Sequence, residues 1–230
     1  MADTTTLKDA LEIRGPYAVW DLMTEDERAA AAAALWNEGD RDTRAAIELA
    51  LAKEMKFRVQ SLRKVSTERL LGRLVRMADK LPDTVLFQFL FHLHMADRRP
   101  LLAAFLDAVG LPHEDGVLNL DDDAEDPAVE KVTAAAQSLV ADHGHEALVY
   151  LATLRVADAD FWGGVDPVLE GFDDHGEAVA AGGKPAKKSA KKSADTDDTK
   201  PAKKAAPKKA APKKATATKK PAAKKPAAKK

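Results

Sequence analysis

The sequence predicts an all-α protein, a helical bundle or short α-solenoid of helical hairpins, followed by an intrinsically disordered basic tail. Three observations predict it. Apolar residues recur at helical spacing through most of residues 1–178, bracketed by helix caps. One segment alone, 84–97, alternates like a buried strand, and no second segment reads as a strand that could pair with it. From Lys184 onward there is no Leu, Ile, Val, Met or aromatic residue. A stretch of that composition cannot bury enough apolar surface to offset its chain entropy. Residues 1–178 are therefore read as an acidic all-helical domain and 179–230 as the tail, with Gly182-Gly183 at the boundary.

Thr24-Glu25-Asp26-Glu27 has the form of a capping box and opens a helix through Ala29–Ala34, which Gly39 ends as a C′ residue. Asp40 caps a long helix expected from Arg41 to about Leu62, with Ala46, Ile47, Ala50, Leu51, Met55 and Val59 on one face. Another runs from Ser66 or Thr67 to Lys80 and breaks at Leu81-Pro82, because proline disfavours helical backbone in the residue before it. The ambiguous segment Thr84–Asp97 is read as a central buried helix, with Phe87, Leu90, Phe91 and Leu93 in the core. Pro100–Val109 adds a short helix closed by Gly110. Pro127, at N1 behind an Asp126 cap, opens a helix to His143, and Gly144 separates it from a last helix, His145–Ala157. The result is three helix–link–helix units, around Gly39-Asp40, Leu81-Pro82 and Gly144.

The formal charge of −1 averages two opposed parts. The last 47 residues carry 18 Lys against Asp195, Asp197 and Asp198, a net +15; the first 183 carry 18 basic and 34 acidic groups, a net −16. Such a split points to a charged partner for one part. The lysines come in doublets spaced by Ala and Pro. The first four doublets are Lys187 with Lys188, Lys191 with Lys192, Lys203 with Lys204, and Lys208 with Lys209. The last four are Lys213 with Lys214, Lys219 with Lys220, Lys224 with Lys225, and Lys229 with Lys230. Proline at this density forbids a continuous helix and favours extended segments. Ammonium groups are point charges without the fork that reads guanine, so the doublets are expected to contact phosphates and not base sequence.

These Lys/Ala/Pro doublets resemble the C-terminal domains of linker histones and the lysine-rich tails of some bacterial nucleoid proteins. The resemblance covers 184–230 and is compositional. It implies chromatin-like DNA binding and compaction, in the nucleoid of a cytoplasm or in a nucleus. The helical head carries neither winged-helix strands nor β-arms and resembles neither family.

Within the head, Arg69, Arg73, Arg76 and Lys80 form one stripe at helical spacing. Between Lys53 and Lys80 nine basic groups face three acidic ones in a domain otherwise acidic. A solvated face paired with acidic neighbours is the favoured reading, a secondary phosphate-contacting stripe the other. His92 and His94 point to opposite sides of a helix and cannot chelate one ion together. His145-Glu146 lacks the distal histidine of a zinc-protease motif, since Tyr150 follows Val149. Asn119, Asp121, Asp123, Glu125 and Glu130 fall at calcium-loop positions, but Ala124 replaces the turn glycine. No metal site, cofactor or catalytic activity is expected. The chain has no cysteine, and its most apolar run, 85–95, is shorter than the ~20 residues a membrane-spanning helix needs. The reading is a soluble intracellular, nucleoid-associated protein that binds DNA, with RNA as an alternative polyanion, and whose head takes an unknown protein partner. The alternatives are a helical scaffold that the tail only localises, and an enzyme tethered to nucleic acid.

Overall fold

In the computed structural model, residues 5–120 and 126–179 are described. Eleven α-helices and one two-stranded hairpin account for most of their regular structure. The chain opens on two short helices, α1 (Leu7–Arg14) and α2 (Pro16–Leu22), that periodicity alone does not reveal. Thr6 caps α1 in a capping box with Asp9, and Gly15, at φ 54°, makes the sharp corner between the helices.

Helix α3 (Glu25–Glu38) begins at the Thr24–Glu27 capping box, with both reciprocal hydrogen bonds formed. Gly39 ends it in extended backbone, φ −59°, and not in the left-handed conformation of a C′ glycine. Its lack of a side chain still matters, because a Cβ there would overlap the Leu35 carbonyl oxygen. Asp40 Oδ1 then accepts from the amides of Asp42 and Thr43 at 2.8 and 2.9 Å and starts α4 (Arg41–Met55).

The long helix expected to Leu62 stops at Met55. Lys56 turns left-handed at φ 56°, and the Phe57 amide closes on the Ala52 carbonyl at 2.8 Å, six residues spanned as in a Schellman end. A single turn, α5 (Val59–Leu62), follows. Helix α6 (Thr67–Arg76) also ends early, and a 3₁₀ turn over Ala78–Lys80 carries the chain to Pro82.

Helix α7 (Asp83–Asp97) is the central buried helix, with Leu86, Phe89 and Leu90 fully enclosed and Leu93 and His94 nearly so. Two of the expected core residues lie elsewhere. Phe91 is 44% exposed and Phe87 half-buried, because the face they share looks outward onto a cavity beside the hairpin. Helix α8 (Arg99–Val109) stops at Gly110, left-handed at φ 83°. The hairpin β1 (His113–Glu114) and β2 (Val117–Leu118) is antiparallel and turns at Asp115-Gly116.

Helix α9 (Val129–His143) starts two residues later than expected, on Ala128, with Pro127 outside it and Asp126 making no cap. Its N-terminal part is held from elsewhere: the Thr133 hydroxyl lies 2.7 Å from the Gly164 carbonyl, and a Cβ on Gly164 would meet Val132 Cβ at 2.7 Å. Gly144, at φ 55°, separates α9 from α10 (His145–Ala157), and α11 (Asp166–Leu169) closes the set.

The three helix–link–helix units resolve differently. Helices α9 and α10 pack side by side, whereas α3 takes α7 and α6 as its main neighbours, so the head is a bundle around α7 and α10. Trp20 meets Phe89 edge-on at 5.3 Å, and Phe105 meets Tyr150 at 5.7 Å, which ties α2 and α8 to the two central helices. The segment after α11 returns to the start, where the Leu7 amide donates to the Phe172 carbonyl at 2.9 Å. Helices α4–α6 form the outer layer on α3, and this layer carries the basic stretch.

Candidate nucleic-acid interface

The tail lysines lie outside the described residues. This covers Lys187, Lys188, Lys191, Lys192, Lys203, Lys204, Lys208 and Lys209 in the first four doublets. It equally covers Lys213, Lys214, Lys219, Lys220, Lys224, Lys225, Lys229 and Lys230 in the last four. Their expected contact with phosphates therefore rests on the sequence.

Within the head, the 28-residue span Lys53–Lys80 holds nine of the 18 basic groups of residues 1–183. The end of α4, the turn after it, α5 and α6 place them on one layer of the bundle. Helix α6 alone has a strongly two-sided pattern, with Leu70 and Leu74 buried and the arginines outward.

The stripe divides into two halves with different partners. Arg73 Nη2 donates to Glu54 Oε1 at 2.5 Å and Lys80 Nζ to the same oxygen at 3.2 Å. The Lys80 and Arg73 cations hold the Glu54 carboxyl below its ordinary pKa. This half is the acid-paired helix face that the sequence favoured. Arg69 and Arg76 are exposed and make no ion pair among the described residues. The same holds for Lys53, Lys56, Arg58, Arg63 and Lys64, so seven of the nine cations are free of carboxylates there.

Arg69, Arg73 and Arg76 line a surface depression of about 400 Å³ together with Glu54, Met55 and Phe57. Phe57 is 44% exposed, and the left-handed Lys56 puts it there by ending α4. Sequence reasoning missed this aromatic, because the apolar rhythm of α4 ran through the break. The signal was local: the basic run on both sides of Phe57 is unlike any other stretch of the head.

The histidines do not converge. His94 is buried inside α7 and bonds Thr153 on α10 at 3.0 Å, while His92 is half-buried beside Phe91. His145 Nε2 lies 3.2 Å from Glu27 Oε2, and no other histidine joins it among the described residues. Among the described residues no group of three or more His, Asp and Glu is placed to hold a metal ion. Residues 121–125 of the calcium-like loop lie outside the described residues. No helix among the described residues is long and apolar enough to cross a membrane.

A second cavity, of about 280 Å³, is apolar. Phe87, Phe91, Met95, Leu106, Tyr150 and Trp162 are among the residues that line it, and the hairpin closes one side with Val117 and Leu118. His94 and Thr153 contribute polar edges: His94 Nε2 lies 3.0 Å from Thr153 Oγ1, the Thr153 hydroxyl donates to the Val149 carbonyl, and His94 Nδ1 has no hydrogen-bond partner among the described residues.

No protein-family model, curated protein or solved structure matches the chain.

Proposed function

We propose that the protein associates with DNA through its polycationic tail, without sequence preference, as a nucleoid or chromatin component. The observation that carries this reading is the charge split: 18 Lys against three Asp in the last 47 residues, joined to a head of net −16. Duplex DNA presents one phosphate per ~1.7 Å of axis, so a ladder of lysine pairs finds partners at any register. Lysine in place of arginine suits phosphate contact over base reading. The acidic remainder of the head, including 18 carboxylates against Lys131 and Arg155 between Pro100 and Gly183, is repelled by the same polyanion. The duplex is therefore engaged by the tail, with the acidic part of the head held away from it and free for another partner.

Truncation after Gly183 tests the reading. It touches no buried side chain of the described core, whose last member is Leu169. A gel-shift titration on duplex DNA should show tight binding by the full chain at ~50 mM salt, a loss of several orders of magnitude by ~200 mM, and no shift by the truncated chain. Equal binding by both chains would refute the tail as the duplex-binding element.

A further inference from the structure

We infer that the basic layer of the head is a second, chemically distinct site that binds single-stranded nucleic acid, with a base stacked on Phe57 and phosphates on Arg69 and Arg76. The inference stands on head residues alone and does not depend on the reading of the tail. Three observations converge on it.

The first is charge that the fold leaves unspent. Seven cations between Lys53 and Arg76 have no acidic partner among the described residues, in a head whose net charge is −16. Of the nine cations of this layer, only Arg73 and Lys80 are paired among the described residues, both with Glu54. Charge complementarity thus names a polyanion as the occupant.

The second is the kind of cation. The depression is lined by three arginines and no lysine. Arg69 and Arg76 stand seven residues apart on α6, about 10 Å along the axis and on nearly the same face. Their planar forks bond phosphate oxygens two at a time, which a lysine cannot do. Between them in sequence, Arg73 donates to Glu54 at 2.5 Å, and both line the depression.

The third observation separates a single strand from a duplex. Phe57 shares the depression with the three arginines and is 44% exposed. A duplex keeps its base faces stacked inside and offers nothing to an aromatic ring. An unpaired base does, and aromatic rings set among basic residues are the recurring platform for single strands. Five of the seven cations of this layer left unpaired among the described residues are Lys53, Lys56, Arg58, Arg63 and Lys64, and cations at this density suit a polyanion better than a protein interface, where lysine is depleted. The tail and the head layer therefore divide the work: the tail tracks phosphates of any duplex, and the head holds an exposed strand.

The test uses the full chain with the eight tail lysine doublets changed to Gln, so that the tail does not mask the head. Fluorescence anisotropy follows a labelled thymidine oligonucleotide of about 15 nucleotides and a duplex of the same length, at about 150 mM salt. The single strand should bind at least about tenfold more tightly than the duplex. Phe57→Ala should erase that preference and Phe57→Tyr should keep it, with unchanged melting temperatures because the ring is exposed. Arg69→Gln with Arg76→Gln should lower the salt slope for the single strand by about 1.4. No binding by the tail-neutral chain, equal binding of both nucleic acids, or Phe57→Ala binding as tightly as its parent would each overturn the inference. The tail reading is judged apart from these, by whether neutralising the doublets abolishes duplex binding.

Discussion

His94 is a titratable group placed where its charge has no support. Thr153 donates its single hydroxyl proton to the Val149 carbonyl at 2.8 Å, so it accepts from His94 Nε2 and fixes the ring as the neutral Nε2–H tautomer. Burial, reinforced by the Arg98 cation and only partly opposed by Glu27, pushes His94 down to about 3. Above pH 6.5 the imidazole is neutral folded or unfolded. Below it the unfolded chain takes up a proton that the folded chain refuses until about pH 3. Stability from this group therefore falls across that window by about 1.4 kcal/mol per pH unit. His94→Gln should be less stable than the parent at pH 7, with the gap in denaturation midpoint narrowing by pH 5. A gap independent of pH would contradict the assignment. Arg98, 6% exposed, bonds Glu27 on α3 and reaches Glu146 on α10 at 3.0 Å. Burial raises the Glu27 carboxyl, but hydrogen bonds from the Thr24 amide and from Arg98 outweigh it and hold the group below its ordinary value. Arg98→Ala would strand that carboxylate, and we expect a loss of about 3–5 kcal/mol in chemical denaturation.

At the scale of elements, α7 shows how one helix divides its labour. Phe89→Ala should cost about 3–5 kcal/mol, because it empties the centre of the core against Trp20. Phe91→Ala, two residues on and 44% exposed, should change the melting temperature little. The reverse ranking would mean that the helix is turned the other way. An apolar cylinder such as 84–97 declares itself buried but not which of its phenylalanines faces inward, since the polar stripe Thr84, Gln88 and His92 is too narrow to orient it. Two of the three helix starts with a side-chain cap among the described residues were legible: Thr24 and Asp40 cap α3 and α4 where their motifs stand in the sequence, whereas the Thr6–Asp9 box of α1 was not, because no clear apolar rhythm follows it. The end of α4 was not, because Lys56 adopts a conformation that is usually marked by glycine. The start of α9 was set by the docking of Gly164 on Val132, a contact 32 residues away that no local motif encodes. The arginine stripe was visible as spacing, but its division by Glu54 and its junction with Phe57 depend on how α4 and α6 lie together.

At the scale of the whole molecule, charge is laid out in blocks along the chain. The charged groups of residues 100–183 are almost all acidic, the α4–α6 layer is basic, and the last 47 residues are polycationic. On the proposed reading, a polyanion meets two attractive regions separated in sequence by a repulsive one, and the tail is the denser of the two in charge. The salt dependence of duplex affinity reads this arrangement most directly, since each engaged lysine contributes a slope of about 0.9 in log affinity against log salt. The measurement is that slope, for the full chain and for a variant with Lys203, Lys204, Lys208, Lys209, Lys213 and Lys214 changed to Gln, on two duplexes of unrelated sequence. The slope should be steep and the same on both duplexes, and it should fall by roughly five in the variant. A slope that the six substitutions leave unchanged, or affinities that differ by orders of magnitude between the two duplexes, would contradict a tail that binds DNA through its phosphates.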